Sequence, residues 1–280
     1  MPTTLRERMI DVAGVRSPVL EGGPPGAEAV VFVHGNPGSS LDWMPLGSLV
    51  ADFARVVAPD MPGFGRADKP ASFPYTVDGY AGHLGAVLDA VGVERAHLVL
   101  HDFGGPWGLV WAAMHPARYA STTLINCGVL PGYRWHRFAR IWRTPVLGEL
   151  SQLLSTRKGF HLALRQGNPR GLPAAFIDRM YDDFDSGTKR AVLRLYRATE
   201  PGRNAARLQA ALRPLDRPTL VVWGAADPYI DVSFAERQRE TFPSAQVHVL
   251  PESGHWPFAD DPERVASLVV PFLEARVRGS

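Results

Sequence analysis

A single cysteine, Cys127, stands among 280 residues, so no disulfide can form within the chain and a reducing compartment suits it. Cys and His do not cluster at metal-ligand spacing, and no metal or cofactor is called for. No apolar run approaches the roughly 18 residues that a membrane-crossing helix needs. Met1–Asp11 mixes Thr, Arg and Glu and lacks the apolar stretch of a signal peptide. A cytoplasmic protein, monomer or homodimer, is the expectation. Net charge is only +2, so neither nucleic acid nor a membrane surface is expected as a partner. Internal repeats and low-complexity tracts are also lacking. What remains is an ordinary globular composition, 45% hydrophobic and 21% charged, sized for one large domain or one domain with an insertion.

Short β-rich runs occur at Ala29–Val33, Arg55–Ala58, Ala96–Leu100, Ser121–Ile125, Pro218–Trp223 and Gln246–Leu250. Most are continuously apolar, as strands buried on both faces of a parallel sheet are. Helix-like stretches lie at Leu41–Phe53, Val77–Val91, Pro106–His115, Ser233–Thr241 and Pro262–Ala275. This alternation predicts an α/β fold with a mostly parallel central sheet flanked by helices. Ligands of such sheets bind outside the carboxyl ends of the strands. From Pro131 to Leu215 no strand is apparent, and Lys+Arg outnumber Asp+Glu by 16 to 6. The division expected is a core of 1–130 and 216–280 with a helical cap at 131–215. The arginines of that cap are expected to serve mainly as solvated helix faces.

In AHLVLHDFGGPWG, from Ala96 to Gly108, a strand ends near His101, Asp102 follows, two glycines come next, and a helix begins. A sharp strand–turn–helix elbow needs glycine where backbone passes close to backbone. It lifts the Asp102 side chain above the sheet and sets it at a helix N-terminus, among N–H groups that favour negative charge. Asp at a helix start also serves as a plain N-cap. The partners decide between these readings. Asp227 in WGAADPYI and His255 in GHWPFADDPERV each follow a strand, giving the order nucleophile, acid, histidine.

On these motifs the sequence resembles the α/β-hydrolase superfamily over Ala29–Leu273, on its aspartate-nucleophile branch of epoxide hydrolases and haloalkane dehalogenases. The resemblance implies an α/β-hydrolase fold. It implies that Asp102 forms an ester with substrate, that His255, oriented by Asp227, activates the water that hydrolyses it, and that the backbone N–H groups of Asn36 (in His34-Gly35-Asn36-Pro37) and Phe103 form the oxyanion hole. His34 and the Asp60–Asp68 turn are expected to be structural. Leu100 departs from the small residue usual before this elbow and implies a different local packing.

A carboxylate nucleophile needs no base and suits strained or activated sp³ carbon, as in epoxides and alkyl halides. A halide leaving group wants N–H donors, and Phe103, where dehalogenases usually have Trp, has none. An epoxide oxygen wants a proton. By resemblance to the cap Tyr-Arg stretch of epoxide hydrolases, Tyr196, before Arg197, is the expected donor. As the second donor His136 is favoured over Tyr133 and Tyr181, because its place in the forming helix points it at the site. The expected substrate is a small hydrophobic epoxide. Haloalkane dehalogenation is the alternative, and a non-catalytic binding protein on the same fold is the third reading.

Overall fold

The structure, a computed structural model, describes residues 4–279, so Met1–Thr3 of the Met1–Asp11 segment fall outside it. Ala13 and Gly14 both take positive φ, 53° and 75°, in the two-residue turn that folds β1 (Arg6–Val12) against β2 (Val15–Gly22). β2 continues antiparallel onto β4 (Val56–Pro59). Every later pairing is parallel, through β3 (Glu28–Val33), β5 (Arg95–His101), β6 (Tyr119–Ile125), β7 (Thr219–Gly224) and β8 (Gln246–Leu250). The order across the sheet is β1-β2-β4-β3-β5-β6-β7-β8.

Successive side chains of a strand point to opposite faces, and the two cores follow that rule. Ala29, Val31 and Val33 of β3 face one core, with Leu98 and Leu100 of β5 and Trp223 of β7. Val30 and Phe32 face the other, with Val99 and Val222. The first core is closed by α2 (Val77–Ala90) and α3 (Gly104–Met114), the second by α1 (Met44–Val50) and α12 (Pro262–Val277). Both faces of the middle strands are therefore dry, which is why they read as continuous apolar runs. β8 lies at one edge of the sheet and is partly exposed, as β1 is at the other.

Between β6 and β7 the described chain is helical: α4 (Arg137–Arg143), α5 (Leu147–Leu153), α6 (Arg157–Gln166), α7 (Ala174–Asp182), α8 (Ser186–Ala198) and α9 (Ala205–Leu212). After β7 come α10 (Ser233–Arg237) and α11 (Pro257–Asp260). Two expected helices are shorter than predicted. Leu41–Phe53 begins as a 3₁₀ turn at Ser40–Trp43, with Pro45 in the first turn of α1, and Ser233–Thr241 tightens into a 3₁₀ turn at Gln238–Glu240. The β1–β2 hairpin has no counterpart among the predicted strands, because Arg6–Met9 are exposed and only Ile10 and Val12 of β1 carry buried apolar side chains.

Candidate active site

Asp102 sits at the carboxyl end of β5 with φ of 47°, a left-handed conformation that non-glycine residues seldom adopt. The turn is tight because the residues around it lack side chains. A Cβ on Gly104 would lie 2.2 Å from the Val33 carbonyl oxygen, and one on Gly35 would lie 2.4 Å from Asp102 Cβ. Leu100 fits because Gly108 faces it, where a Cβ would come within 2.4 Å of the leucine Cδ2.

Neighbouring strand ends bring the other groups. His255, in the loop between β8 and α11, donates from Nδ1 to Asp227 Oδ2 at 2.7 Å, and its Nε2 stands 3.9 Å from Asp102 Oδ2. Asp227 Oδ1 accepts the N–H groups of Tyr229 and Ile230 at 2.7 and 3.1 Å. Asn126, just past β6, donates to Asp227 Oδ2 at 2.8 Å and accepts Gly224 N–H at 2.9 Å. His101 Nε2 donates to the His255 carbonyl at 2.8 Å; burial pushes its pKa down to about 3, so it is a neutral donor. The Asn36 N–H reaches Asp102 Oδ2 at 2.9 Å, and Phe103 follows as the N-cap of α3.

Burial opposes charge on Asp102, but the hydrogen bond and charge of His255 and the Asn36 N–H outweigh it and hold the carboxyl below its ordinary value. Burial opposes charge on His255 too, yet Asp227 and Asp102 together raise its pKa to about 10. The resting site is thus an imidazolium between two carboxylates.

Across a cavity of about 340 Å³ stand residues of the helical insert. Tyr196, on α8, is buried, and its oxygen lies 3.4 Å from both Asn36 Nδ2 and His136 Nε2. His136 caps α4: its Nδ1 accepts the Ala139 N–H at 3.3 Å, which leaves the proton on Nε2. Burial lowers the His136 pKa to about 4, so the ring is neutral near pH 7. The Tyr196 oxygen therefore accepts from two donors and keeps its own proton for the cavity. Burial pushes its pKa well above the usual phenol value.

Asp102, His255, Asn36, Phe103, Tyr196 and His136 are thereby brought to one cavity, with Asp227 behind His255. Tyr133 also lines it, but its hydroxyl donates to the Tyr229 carbonyl at 3.1 Å. Tyr181 does not reach it; its hydroxyl lies 3.4 Å from the Ser155 carbonyl. His34 is held in the backbone, between Gly35 O and Met61 N–H, and Asp60 by Ser40 N–H and Arg66 N–H, both as structural residues. Three residues went unnoticed in the sequence: His101, Asn126 and Trp135, whose buried Nε1 at the cavity wall has no hydrogen-bond partner among the described residues. Asn126 was findable, since it ends a predicted strand just as Asp102 and Asp227 do.

The layered sheet, the elbow and the Asp–His pair at the strand ends define an α/β hydrolase. The chain belongs to that family: the sequence profile described as alpha/beta hydrolase fold matches residues 28–262. Among its relatives is a cis-3-alkyl-4-alkyloxetan-2-one decarboxylase of Shewanella oneidensis, 32% identical, covering 88% of this chain and 82% of that one. Among solved structures, Cfl2 from Burkholderia cenocepacia is similar with a TM-score of 0.84 at 28% identity, over 96% of both chains. Haloalkane dehalogenase DbeA from Bradyrhizobium elkani is similar with a TM-score of 0.85 at 25% identity, over 99% of this chain and 100% of that one.

Proposed function

We propose that the protein hydrolyses small hydrophobic epoxides to vicinal diols through an ester on Asp102, with the helical insert at 131–215 acting as the cap over the site. The observation that carries this reading is the Tyr196 hydroxyl. It faces the same cavity as Asp102, and its oxygen is already engaged by Asn36 and His136, so the proton it can give points to a leaving oxygen.

Asp102 Oδ2 is held by the Asn36 N–H, so Oδ1 is the oxygen free to attack the epoxide carbon. As the C–O bond breaks, its electron pair goes to the epoxide oxygen, which takes the Tyr196 proton. The new ester has lost the Asp102 charge, one of the two that kept His255 protonated. His255 then releases its proton to restore Tyr196 and becomes the neutral base. Water loses a proton to His255 and adds to the ester carbonyl, where the Asn36 N–H already bonds Oδ2 and stabilises the oxyanion. As the oxyanion collapses, the Cγ–Oδ1 bond breaks, the diol leaves with Oδ1 and the His255 proton, and the new Asp102 carboxyl gives its own proton back to His255. Asp227 keeps the Nδ1 proton in place throughout. The decarboxylase relative is named for another strained oxygen ring, which supports a strained-ring electrophile.

A single turnover of styrene oxide in ¹⁸O water should place label in the Asp102 peptide by mass analysis; unlabelled Asp102 with labelled diol would sink the ester route. Tyr196→Phe should slow diol formation roughly 100-fold or more, the usual worth of a positioned acid. A second reading, haloalkane dehalogenation, is favoured by the unpartnered Trp135 Nε1 and the Asn36 amide at the cavity. Halide release from 1-bromobutane separates it, and Tyr196→Phe should leave that release largely intact.

A further inference from the structure

Six large apolar side chains stand out from one part of the insert. Val146, Leu147, Leu150, Leu153 and Leu154 are exposed on and beside α5, and Leu162 on α6, with Leu153 and Leu154 at 77% and 75%. Val146 is held at φ of 70°, which a β-branched residue avoids, with its side chain 68% exposed. Around them basic side chains outnumber acidic ones. From Arg134 to Arg165 there are seven Lys and Arg (134, 137, 140, 143, 157, 158 and 165) against Glu149. Arg134, Arg137, Arg140, Lys158 and Arg165 are exposed and make no ion pair among the described residues. The cavity opens here, since Leu154 and the exposed Phe138 also line it.

We propose that this face docks on an anionic lipid surface, with the α5 leucines among the acyl chains and the basic residues at the headgroups. The net charge of +2 hides this, because the rest of the chain carries 22 Asp and Glu against 14 Lys and Arg, while residues 131–215 carry +10. An apolar face rimmed by Arg and Lys is the pattern of segments that lie in the membrane interface. A second copy fits poorly: a two-fold contact places the same patch against itself, and here that sets cation against cation. The open mouth then lets an apolar ligand pass from lipid to cavity without crossing water. The inference stands on this surface alone and is independent of the chemistry at Asp102.

The test is co-sedimentation of the full chain with vesicles of phosphatidylglycerol and phosphatidylcholine, and with phosphatidylcholine alone. Binding to the anionic vesicles is expected, at least tenfold weaker without phosphatidylglycerol, weakened by salt, and at least tenfold weaker for the Leu150→Asp/Leu153→Asp variant. Arg137→Glu/Lys158→Glu should lose a similar share, and it decides the matter if the leucine variant fails to fold. Absent binding to anionic vesicles overturns the proposal, as does equal binding to both vesicle types or binding indifferent to the variants. A dimer by light scattering that Leu150→Asp/Leu153→Asp splits, without vesicle binding, assigns the face to a second copy instead.

Discussion

Four hydrogen bonds converge on the Asp227 carboxylate, from Tyr229 N–H, Ile230 N–H, Asn126 Nδ2 and His255 Nδ1. Its orientation is therefore set before substrate arrives, and it sets that of His255. Asn126 does the same for two strands at once, since its amide also accepts the Gly224 N–H. Replacing it by leucine strands a buried N–H and removes a donor from a buried carboxylate. Each such loss costs about 1–3 kcal/mol, so Asn126→Leu should lower unfolding stability in urea by at least that much. Its turnover should fall as well, because His255 is then less firmly held. His255 itself reports on Asp102: in Asp102→Asn one of its two carboxylates is gone, and the imidazole pKa followed by NMR should drop from about 10. An unchanged value would mean that the two side chains do not share a charge.

The elements were unequally legible in sequence. Five of the predicted strands, β3 to β7, could be read because burial on both sides makes them largely apolar, and β8 showed as a β-rich run although it is partly exposed. The β1–β2 hairpin could not, because β1 pairs on one side only and exposes most of its residues, so its signal was confined to the turn at Ala13–Gly14. Asp102 was legible from its elbow, while His101 beside it looked like a strand residue; its bond to the His255 carbonyl joins positions 154 apart and leaves no local trace. Tyr196 and His136 were reached through the family resemblance and the order of the chain, but the approach of the Tyr196 oxygen to both His136 and Asn36 depends on how α4 and α8 meet over the sheet. The elbow makes its own prediction. Gly104→Ala drives a methyl into the Val33 carbonyl, and overpacking of this kind costs about 1–3 kcal/mol. Chemical denaturation should show that loss, and activity should fall with it, because the Asp102 turn must shift.

Over the whole molecule, the buried histidines set the pH range of stability. Burial lowers His83 and His136 to about 4 and His101 to about 3. Below the ordinary histidine value near 6.5, the unfolded chain takes up protons that these folded sites refuse, so stability is lost as pH falls. His255 works the other way. Its folded pKa of about 10 contributes stability that is complete below about 6.5 and is lost as pH rises through about 10. Thermal melts should therefore peak near neutrality and fall on both sides, since His97 is lowered as well and the buried tyrosines, among them Tyr80 and Tyr196, are raised and resist deprotonation in alkali. His255→Gln should flatten the alkaline limb alone; an unaltered limb would contradict the raised pKa.

The insert between β6 and β7 also has a consequence for how the protein is made. Thr122 and Thr219 are partners in the sheet although 97 positions separate them. On the ribosome, β6 emerges and waits with an open edge while the whole helical segment is translated. Asp102 and Tyr196 are synthesised before Asp227 and His255. Chains stalled or cleaved within the insert would display a bare parallel edge beside a finished elbow, which marks them for chaperone capture and makes late closure of the sheet the step at which the enzyme becomes competent.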